Sequence, residues 1–123
     1  MTTTTHTHST FDVGALRAGI EQRDADALTG LYAADAAIEI ADADHGPSRP
    51  LRIAGAEAIA AHLADVYGRS MEHRVELVAA TGDSLGYTVR CAYPDGTLVR
   101  CVAMAELRDG QIVREVVAQA WDR

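Results

Sequence analysis

The sequence predicts a single α+β domain in which helices pack on one face of a curved antiparallel sheet. Three observations lead to this fold class. Apolar residues recur at helical spacing near the start of the chain and again over residues 56–69. Apolar and polar residues alternate through most of residues 73–121, which is typical of strands. Short segments rich in Gly, Asp and Pro interrupt that alternation, so successive strands are joined by tight turns and run antiparallel.

Length and composition exclude several classes of protein. A chain of 123 residues is the size of one domain, which we place over residues 11–123 after a polar, disordered tail over residues 1–10. Hydrophobic residues make up 48% and charged residues 24%, as in ordinary globular domains. The formal net charge of −7 argues against a nucleic-acid-binding protein, which needs a basic face. No run of 18 apolar residues occurs, so no membrane span is expected.

Residue usage also bears on location and cofactors. Residues 1–10 lack the basic and apolar segments of a secretory signal, and two cysteines are too few for a disulfide scaffold. We therefore expect a cytoplasmic protein. All 11 basic residues are Arg, and Lys and Asn are absent, which is typical of a GC-rich bacterial genome. No cluster has the spacing of a zinc site and no glycine-rich phosphate loop is present, so neither a metal nor another cofactor is expected.

Two helices are predicted before the first strand. The first covers residues 11–22, with Thr10 or Asp12 as its N-cap. The second is short and begins at Asp24, and its apolar spacing places Tyr32 on its buried face.

The next segments alternate between strand and helix. A strand is predicted over residues 37–41, in which Ile40 points to the core. A loop with Gly and Pro leads to a short strand over residues 51–53. A third, amphipathic helix covers residues 56–69, and His62 lies on its buried side.

Four strands in a meander complete the predicted sheet, over residues 73–80, 85–93, 98–108 and 111–121. Alternation places Tyr87 on the face toward the helices. In the last strand it places one set of alternate residues on a common face: Val113, Glu115, Val117, Gln119 and Trp121.

The opposite, outer face of the sheet is unexpectedly apolar. A sheet covered by helices on one side should be polar on the other. An apolar patch is instead formed by Val102, Met104, Val116 and Ala118. Such a patch indicates a partner, and the simplest partner is a second copy of the chain in a homodimer.

Small residues on the inner face predict a cavity. Ala103 and Ala105 occupy inward positions where a core normally has bulky side chains. On a curved sheet they leave room for an apolar small molecule. The alternative is that large side chains from the helices fill the space.

The two cysteines, Cys91 and Cys101, share the inner face of neighbouring strands. They are directly opposite if the connecting loop has three residues centred on Gly96, and diagonal if Tyr93 pairs with Thr97. Only the first register allows a disulfide, and in a reducing compartment we expect two thiols.

Three motifs resemble the NTF2-like superfamily, and in particular its SnoaL-like branch: RDADAL at residues 23–28, GAEAIAAHL at residues 55–63 and ELRDGQIV at residues 106–113. Relatives in that branch include ketosteroid isomerases, polyketide cyclases, scytalone dehydratase and limonene epoxide hydrolase. The resemblance covers roughly residues 11–122 and implies a cone-shaped, cystatin-like α+β barrel. It also implies a deep apolar pocket and a dimer.

The catalytic pattern of the ketosteroid isomerases is not retained. Following the matching motifs, their oxyanion-hole Tyr and Asp and their proton-moving Asp correspond to Leu16, Ala103 and Ile40. All three are apolar, so an isomerase of that kind is not expected. The Tyr that supports the isomerase network is matched by Tyr32, and the last-strand Asp of limonene epoxide hydrolase falls near Gln119.

The candidate site therefore rests on the remaining polar groups. His62 is the predicted acid–base residue, since a near-neutral imidazole can move a proton beside a carbonyl; the alternative is a hydrogen-bonded core histidine. Tyr32 and Tyr87 are predicted to donate to a developing enolate, unless they merely pack. The remaining candidates are predicted to line the pocket: Leu16, Ile40, Cys101, Ala103, Gln119 and Trp121.

Three functions remain open from the sequence. The first is a cofactor-independent cyclase, isomerase or dehydratase acting on an apolar cyclic ketone or polyketide. The second is a binding protein with the same pocket and no turnover. The third is a dimerisation module. Loss of the isomerase groups favours the second and third, whereas the polar groups kept at pocket positions favour the first and second.

Overall fold

Three helices and six strands make up residues 10–122, the part of the chain that the computed structural model describes. The helices are α1 (Val13–Glu21), α2 (Ala25–Thr29) and α3 (Ala56–Tyr67). The strands are β1 (Tyr32–Ala41), β2 (Leu51–Ala54), β3 (Glu72–Ala80), β4 (Ser84–Ala92), β5 (Leu98–Arg108) and β6 (Gln111–Trp121). The α+β class is confirmed. The predicted tail, apart from Thr10, lies outside the described residues.

One curved, unclosed sheet contains all six strands, in the order β2-β1-β6-β5-β4-β3. Strands β3 to β6 form the predicted antiparallel meander, and β2 is antiparallel to β1. The pair β1–β6 is parallel, so the sheet is not antiparallel throughout. No tight turn connects these two strands, and the alternation of residues therefore carried no information about their relative direction.

The first strand begins earlier than the sequence indicates, and the prediction of Tyr32 on a helix is wrong. Helix α2 ends at Thr29, with Gly30 as its C-cap. Tyr32 already pairs with Ile112 of β6, and the register then shifts before Ala37. This shift interrupts the strict alternation of inward and outward residues in β1. The spacing of the apolar residues there therefore resembles that of a helix.

Aspartates cap the first two helices. The side chain of Asp12 accepts a hydrogen bond from Ala15 N at 2.9 Å, and Asp24 accepts one from Ala27 N at 3.1 Å. Of the two predicted caps for the first helix, Asp12 is the one used. Such a cap contributes about 1 kcal/mol to helix stability.

The core lies between the helices and the inner face of the sheet. Leu16 and Ile20 of α1 and Ile59 of α3 are each at most 2% exposed. Fully burying one such side chain stabilises the fold by roughly 1.5–3 kcal/mol. Within residues 10–122, no helix is long and apolar enough to cross a membrane.

Candidate functional site

A cavity of about 390 Å³ lies between α3 and the inner face of the sheet. Small-molecule sites typically have volumes of roughly 300–1,000 Å³, so this one suits a small ligand. Apolar side chains from the strands form much of its wall: Ile38, Ile40, Val89, Val99 and Val117.

A buried carboxylate in this wall joins three strands. Glu115 on β6 is 2% exposed and accepts a hydrogen bond at each oxygen. The hydroxyl of Tyr32 on β1 donates to Oε1 at 2.7 Å, and that of Tyr87 on β4 donates to Oε2 at 2.6 Å. We call these three residues the Tyr–Glu–Tyr triad.

The small residues of β5 explain how two of these side chains meet. Strand β5 lies between β4 and β6, with Ala103 beside Tyr87 and Ala105 beside Glu115. A methyl group at each position leaves space above β5 for the tyrosine to reach the carboxylate. The alanines that predicted a cavity therefore also permit the contact between Tyr87 and Glu115.

Burial controls the ionisation of the triad. Desolvation raises the pKa of Glu115 above its ordinary value, although the hydrogen bonds from Tyr87 and Tyr32 lower it in part. No ion pair to Glu115 forms within residues 10–122. The pKa values of Tyr32 and Tyr87 are also raised, first by desolvation and then by the negative charge of Glu115. Both phenols therefore keep their protons at neutral pH.

The number of protons on the triad determines whether it can donate a hydrogen bond to a ligand. When Glu115 is ionised, both hydroxyl protons are used on its oxygens and no donor remains for a ligand. When Glu115 is protonated, the triad holds a third proton, and one hydroxyl group is free to donate into the cavity. The triad can therefore accept a proton and, having done so, donate a hydrogen bond.

The predicted acid–base residue, His62, also lines the cavity but stands apart from the triad. It lies on α3 with Asp65, which pairs at 2.7 Å with Arg69 just after the helix; both charged side chains also line the cavity. Burial lowers the pKa of His62, so the imidazole is neutral at pH 7. The structure gives it no hydrogen bond to Tyr32 or to the rest of the triad.

Gln119 and Trp121 lie in the cavity wall as a pair. The indole Nε1 of Trp121 donates to Oε1 of Gln119 at 3.1 Å. The indole also stacks on Tyr93, with ring centroids 5.8 Å apart. The Gln119 amide is thus bonded to a neighbour, as the sequence allowed.

Of the other predicted pocket residues, three line the cavity and one does not. Ile40, Cys101 and Ala103 line the cavity. Leu16 is 2% exposed and belongs to the core on α1, away from the residues that line the cavity.

The cysteines adopt the diagonal register. The amide of Tyr93 donates to the carbonyl of Thr97, and Cys91 pairs with Val99 rather than with Cys101. Both cysteines are free thiols.

Two residues of the cavity wall were missed as candidates, Glu115 and His73. The alternation of residues in the last strand had already placed Glu115 on the inner face. A carboxylate at an inward position was the feature of the sequence that could have identified Glu115 as a candidate. His73 is the second residue of β3, and its direct pairing with Cys91 depends on a register that the sequence does not fix. No group of three His, Cys, Asp or Glu among residues 10–122 is arranged to hold a metal ion.

Comparisons with known proteins identify the family and the fold of this chain. The profile of the SnoaL-like domain matches residues 13–115. No curated protein sequence matches the chain.

Several solved structures have the same fold. An NTF2-like protein of unknown function from Mesorhizobium loti has 23% identity and a TM-score of 0.74, with 85% of this chain and 84% of that chain covered. A candidate ketosteroid isomerase from Kribbella flavida has 20% identity and a TM-score of 0.70, with 89% and 74% covered. A candidate polyketide cyclase from Sinorhizobium meliloti has 23% identity and a TM-score of 0.64, with 85% and 91% covered.

The space above β5 can be tested by filling it. Replacing Ala103→Leu should destabilise the protein by about 1–3 kcal/mol, because the added atoms meet Tyr87 in a packed wall. Urea denaturation measures the change. Ala61→Leu on the exposed face of α3, away from the outer face of the sheet, is the control and should change stability by less than about 0.5 kcal/mol. Equal effects at the two positions would contradict the role given to Ala103.

The raised pKa of Glu115 predicts a pH dependence of stability. The folded protein holds the Glu115 proton more tightly than the unfolded chain, so this residue's contribution is fully present below the unfolded pKa, roughly 4.3. It is lost as the pH rises through the folded pKa. Relative to Glu115→Gln, the unaltered protein should therefore lose stability as the pH rises above about 4.3. Urea denaturation of both proteins across this range measures the difference, and a gain with rising pH would contradict the assignment.

Proposed function

This chain belongs to the SnoaL-like domain family, and from that premise we propose that it is a cofactor-independent enzyme of the isomerase, cyclase or dehydratase kind. Its substrate is an apolar cyclic ketone or polyketide, and its reaction moves a proton at the carbon next to a carbonyl group. The observation that carries this proposal is the buried Glu115 carboxylate held by Tyr32 and Tyr87 in the cavity wall.

Glu115 is the base of the proposed reaction. A catalytic base works best when its pKa lies near the working pH, and burial raises the pKa of Glu115 toward that range. Apolar side chains form much of the wall on the strand side, and low polarity there strengthens charge interactions made inside.

The proposed step depends on how many protons the triad holds. Ionised Glu115 takes the proton from the α-carbon, and the electron pair of the broken C–H bond forms the enolate. The new Glu115 proton is donated to one tyrosine oxygen, which releases that tyrosine's own hydroxyl proton toward the enolate oxygen. Return of the proton at another carbon gives an isomer, whereas attack of the enolate carbon on a second carbonyl closes a ring.

The size of the cavity narrows the substrate class. A volume of about 390 Å³ is near the lower end of the range of roughly 300–1,000 Å³ for ligand sites. We therefore favour a ketone of one or two rings over a large, extended polyketide. The stacked pair of Tyr93 and Trp121 offers a flat aromatic surface at one part of the wall.

His62 is the alternative base in the same cavity. Its imidazole is neutral at pH 7, because burial lowers its pKa, and it can accept a proton without help. The second candidate function, a binding protein without turnover, is favoured by the apolar residues at the positions where related isomerases carry polar groups, namely Leu16, Ile40 and Ala103.

Ligand binding is tested first, by thermal shift against steroids, aromatic polyketides, terpenoids and fatty acids. A ligand at 100 times its Kd adds about 2.7 kcal/mol of stability, which for a domain of this size raises the Tm by about 10 °C. We expect the small cyclic ketones of the panel to give the shift. A flat response across the panel would count against both the enzyme and the binding protein.

Catalysis is tested by exchange of α-hydrogen for deuterium in the best-bound ketone, followed by NMR in D₂O. Glu115→Gln should slow the exchange by about 10²–10⁴-fold while the thermal shift by the ketone is kept. His62→Ala should keep most of the exchange. Loss in His62→Ala alone would make His62 the base, and binding without exchange in the unaltered protein would favour the binding protein.

We also propose a homodimer through the outer face of the sheet. Val102, Met104 and Val116 are 48%, 59% and 43% exposed there. Val102 pairs with Ala118 and Met104 with Val116, so the four side chains form one continuous apolar patch across β5 and β6. A patch of this kind is normally covered by a partner.

The dimer is tested by placing a charge in the patch. Met104→Glu should shift the protein to a monomer in analytical ultracentrifugation, because burying an unpaired carboxylate opposes association. Ala61→Glu on the exposed face of α3 is the control and should leave the dimer intact. A monomer before any substitution would rule out this interface.

A further inference from the structure

The proposed proton transfer leaves one cluster of chemical groups in the cavity unused. His73 of β3 pairs directly with Cys91 of β4, and His73 Nδ1 lies 3.1 Å from Cys91 Sγ. Cys101 of β5 lies diagonally beside Cys91, because its direct partner is Val89. All three side chains line the cavity. We call them the thiol–imidazole cluster.

Two neighbours stabilise negative charge on Cys91. The Cys101 thiol is hydrogen-bonded to the Cys91 sulfur, and this contact is the main cause that lowers the pKa of Cys91. The contact with His73 lowers that pKa further, whereas burial acts in the opposite direction. The pKa of Cys101 is raised, first by the same contact and then by burial, so Cys101 remains the protonated donor.

Two further ionisable groups act on the cluster, one phenolic and one acidic. Tyr67 of α3 packs its ring 4.9 Å from that of His73, and its own pKa is raised by burial. The charge of Glu115 contributes to the raised pKa of Cys101. Neither group supplies a cation, so His73 is the group placed to exchange a proton with Cys91.

One atom of the cluster lacks a protein partner. His73 is 8% exposed, and its buried Nε2 has no hydrogen-bond partner among the described residues. Buried polar atoms are nearly always bonded, so this imidazole has hydrogen-bonding capacity that the described residues leave unused.

We propose that Cys91 is a nucleophile that adds to α,β-unsaturated ketones bound in the cavity, with His73 carrying the proton. The Cys91 thiol gives its proton to His73 Nδ1, and the sulfur forms a bond to the β-carbon of the ligand. The π pair of the C=C bond becomes the enolate, whose α-carbon then takes the proton back from His73. A thiol and an enone give a thioether ketone, with no oxidant or reductant consumed.

This reaction goes beyond the proton transfer assigned to Glu115 and does not need it. The two activities share the cavity, and they take related ligands. A saturated ring ketone would be a ligand for the triad alone, whereas a ring enone would be trapped at Cys91.

The test is covalent labelling with 2-cyclohexenone at pH 6, with saturated cyclohexanone as the control that cannot add a thiol. The chain has only two cysteines, so peptide mapping of the unaltered protein by mass spectrometry distinguishes them without any substitution. An ordinary thiol with a pKa of about 8.5 is roughly 0.3% ionised at pH 6. Cys91 should therefore react about tenfold faster than N-acetylcysteine, and Cys101 should remain unlabelled.

Substitutions separate the roles in the cluster. Cys91→Ser should abolish the adduct at this position. Cys101→Ser leaves Cys91 as the sole thiol and should slow labelling without abolishing it, because the substitution changes the contact that does most to lower the pKa of Cys91. His73→Gln should slow labelling about tenfold at pH 6, with a smaller difference at pH 9, where an ordinary thiol also ionises. A merely structural role of His73 would not produce this dependence on pH. Circular dichroism checks that each variant is folded.

Three results would overturn the proposal: labelling of Cys101 in place of Cys91, labelling no faster than that of N-acetylcysteine, or equal rates in His73→Gln and the unaltered protein. The proposed function is tested by a different measurement, the exchange of α-hydrogen for deuterium. Labelling without α-hydrogen exchange would remove the role of Glu115 alone, and exchange without labelling would remove the role of Cys91 alone.

Discussion

The carboxylate of Glu115 is buried with no cation from residues 10–122 to pair with, and two tyrosine hydroxyl groups from other strands hold it in place. A lone buried charge is among the most costly features that a small domain can contain. The arrangement therefore constrains everything around it. Tyr32 must stand at the very start of β1, and Tyr87 must face inward from β4. Strand β5, between β4 and β6, needs small residues at positions 103 and 105. The same small residues leave the cavity open, so the space for a ligand and the polar group that faces it have a common structural cause.

Two kinds of chemistry meet across this cavity. The carboxylate on β6 and the tyrosines on β1 and β4 can accept a proton and then donate a hydrogen bond. Along β3 to β5 a thiol, a second thiol and an imidazole form a nucleophilic surface. His62 lies on α3, on the helical side of the cavity, among charged residues. A ring ketone is a suitable ligand for the first surface and its unsaturated analogue for the second, which makes the two surfaces complementary in the ligands they select.

Periodicity was sufficient to predict the meander, the amphipathic third helix and the inward direction of Tyr87, because each depends on residues close in the sequence. The position of Tyr32 was missed, since a register shift in β1 hides the alternation on which such predictions rest. The parallel pairing of β1 with β6 joins segments more than 70 residues apart, and no local signal reports it. The contact of His73 with Cys91 depends on the register of β3 against β4, which alternation does not supply. Glu115 is different: its inward direction was visible, but the role of a carboxylate there only becomes evident once its two tyrosine partners are known.

Glu115 is a buried carboxylate whose affinity for protons is raised by its surroundings. Its pKa can be measured directly, from the pH titration of side-chain carboxyl ¹³C shifts by NMR, with Glu115→Gln to assign the signal. The structure predicts a midpoint above the ordinary glutamate value of about 4.3. Addition of a bound cyclic ketone should shift that signal, because the ligand meets the triad. A midpoint at or below the ordinary value, with no response to ligand, would contradict the account.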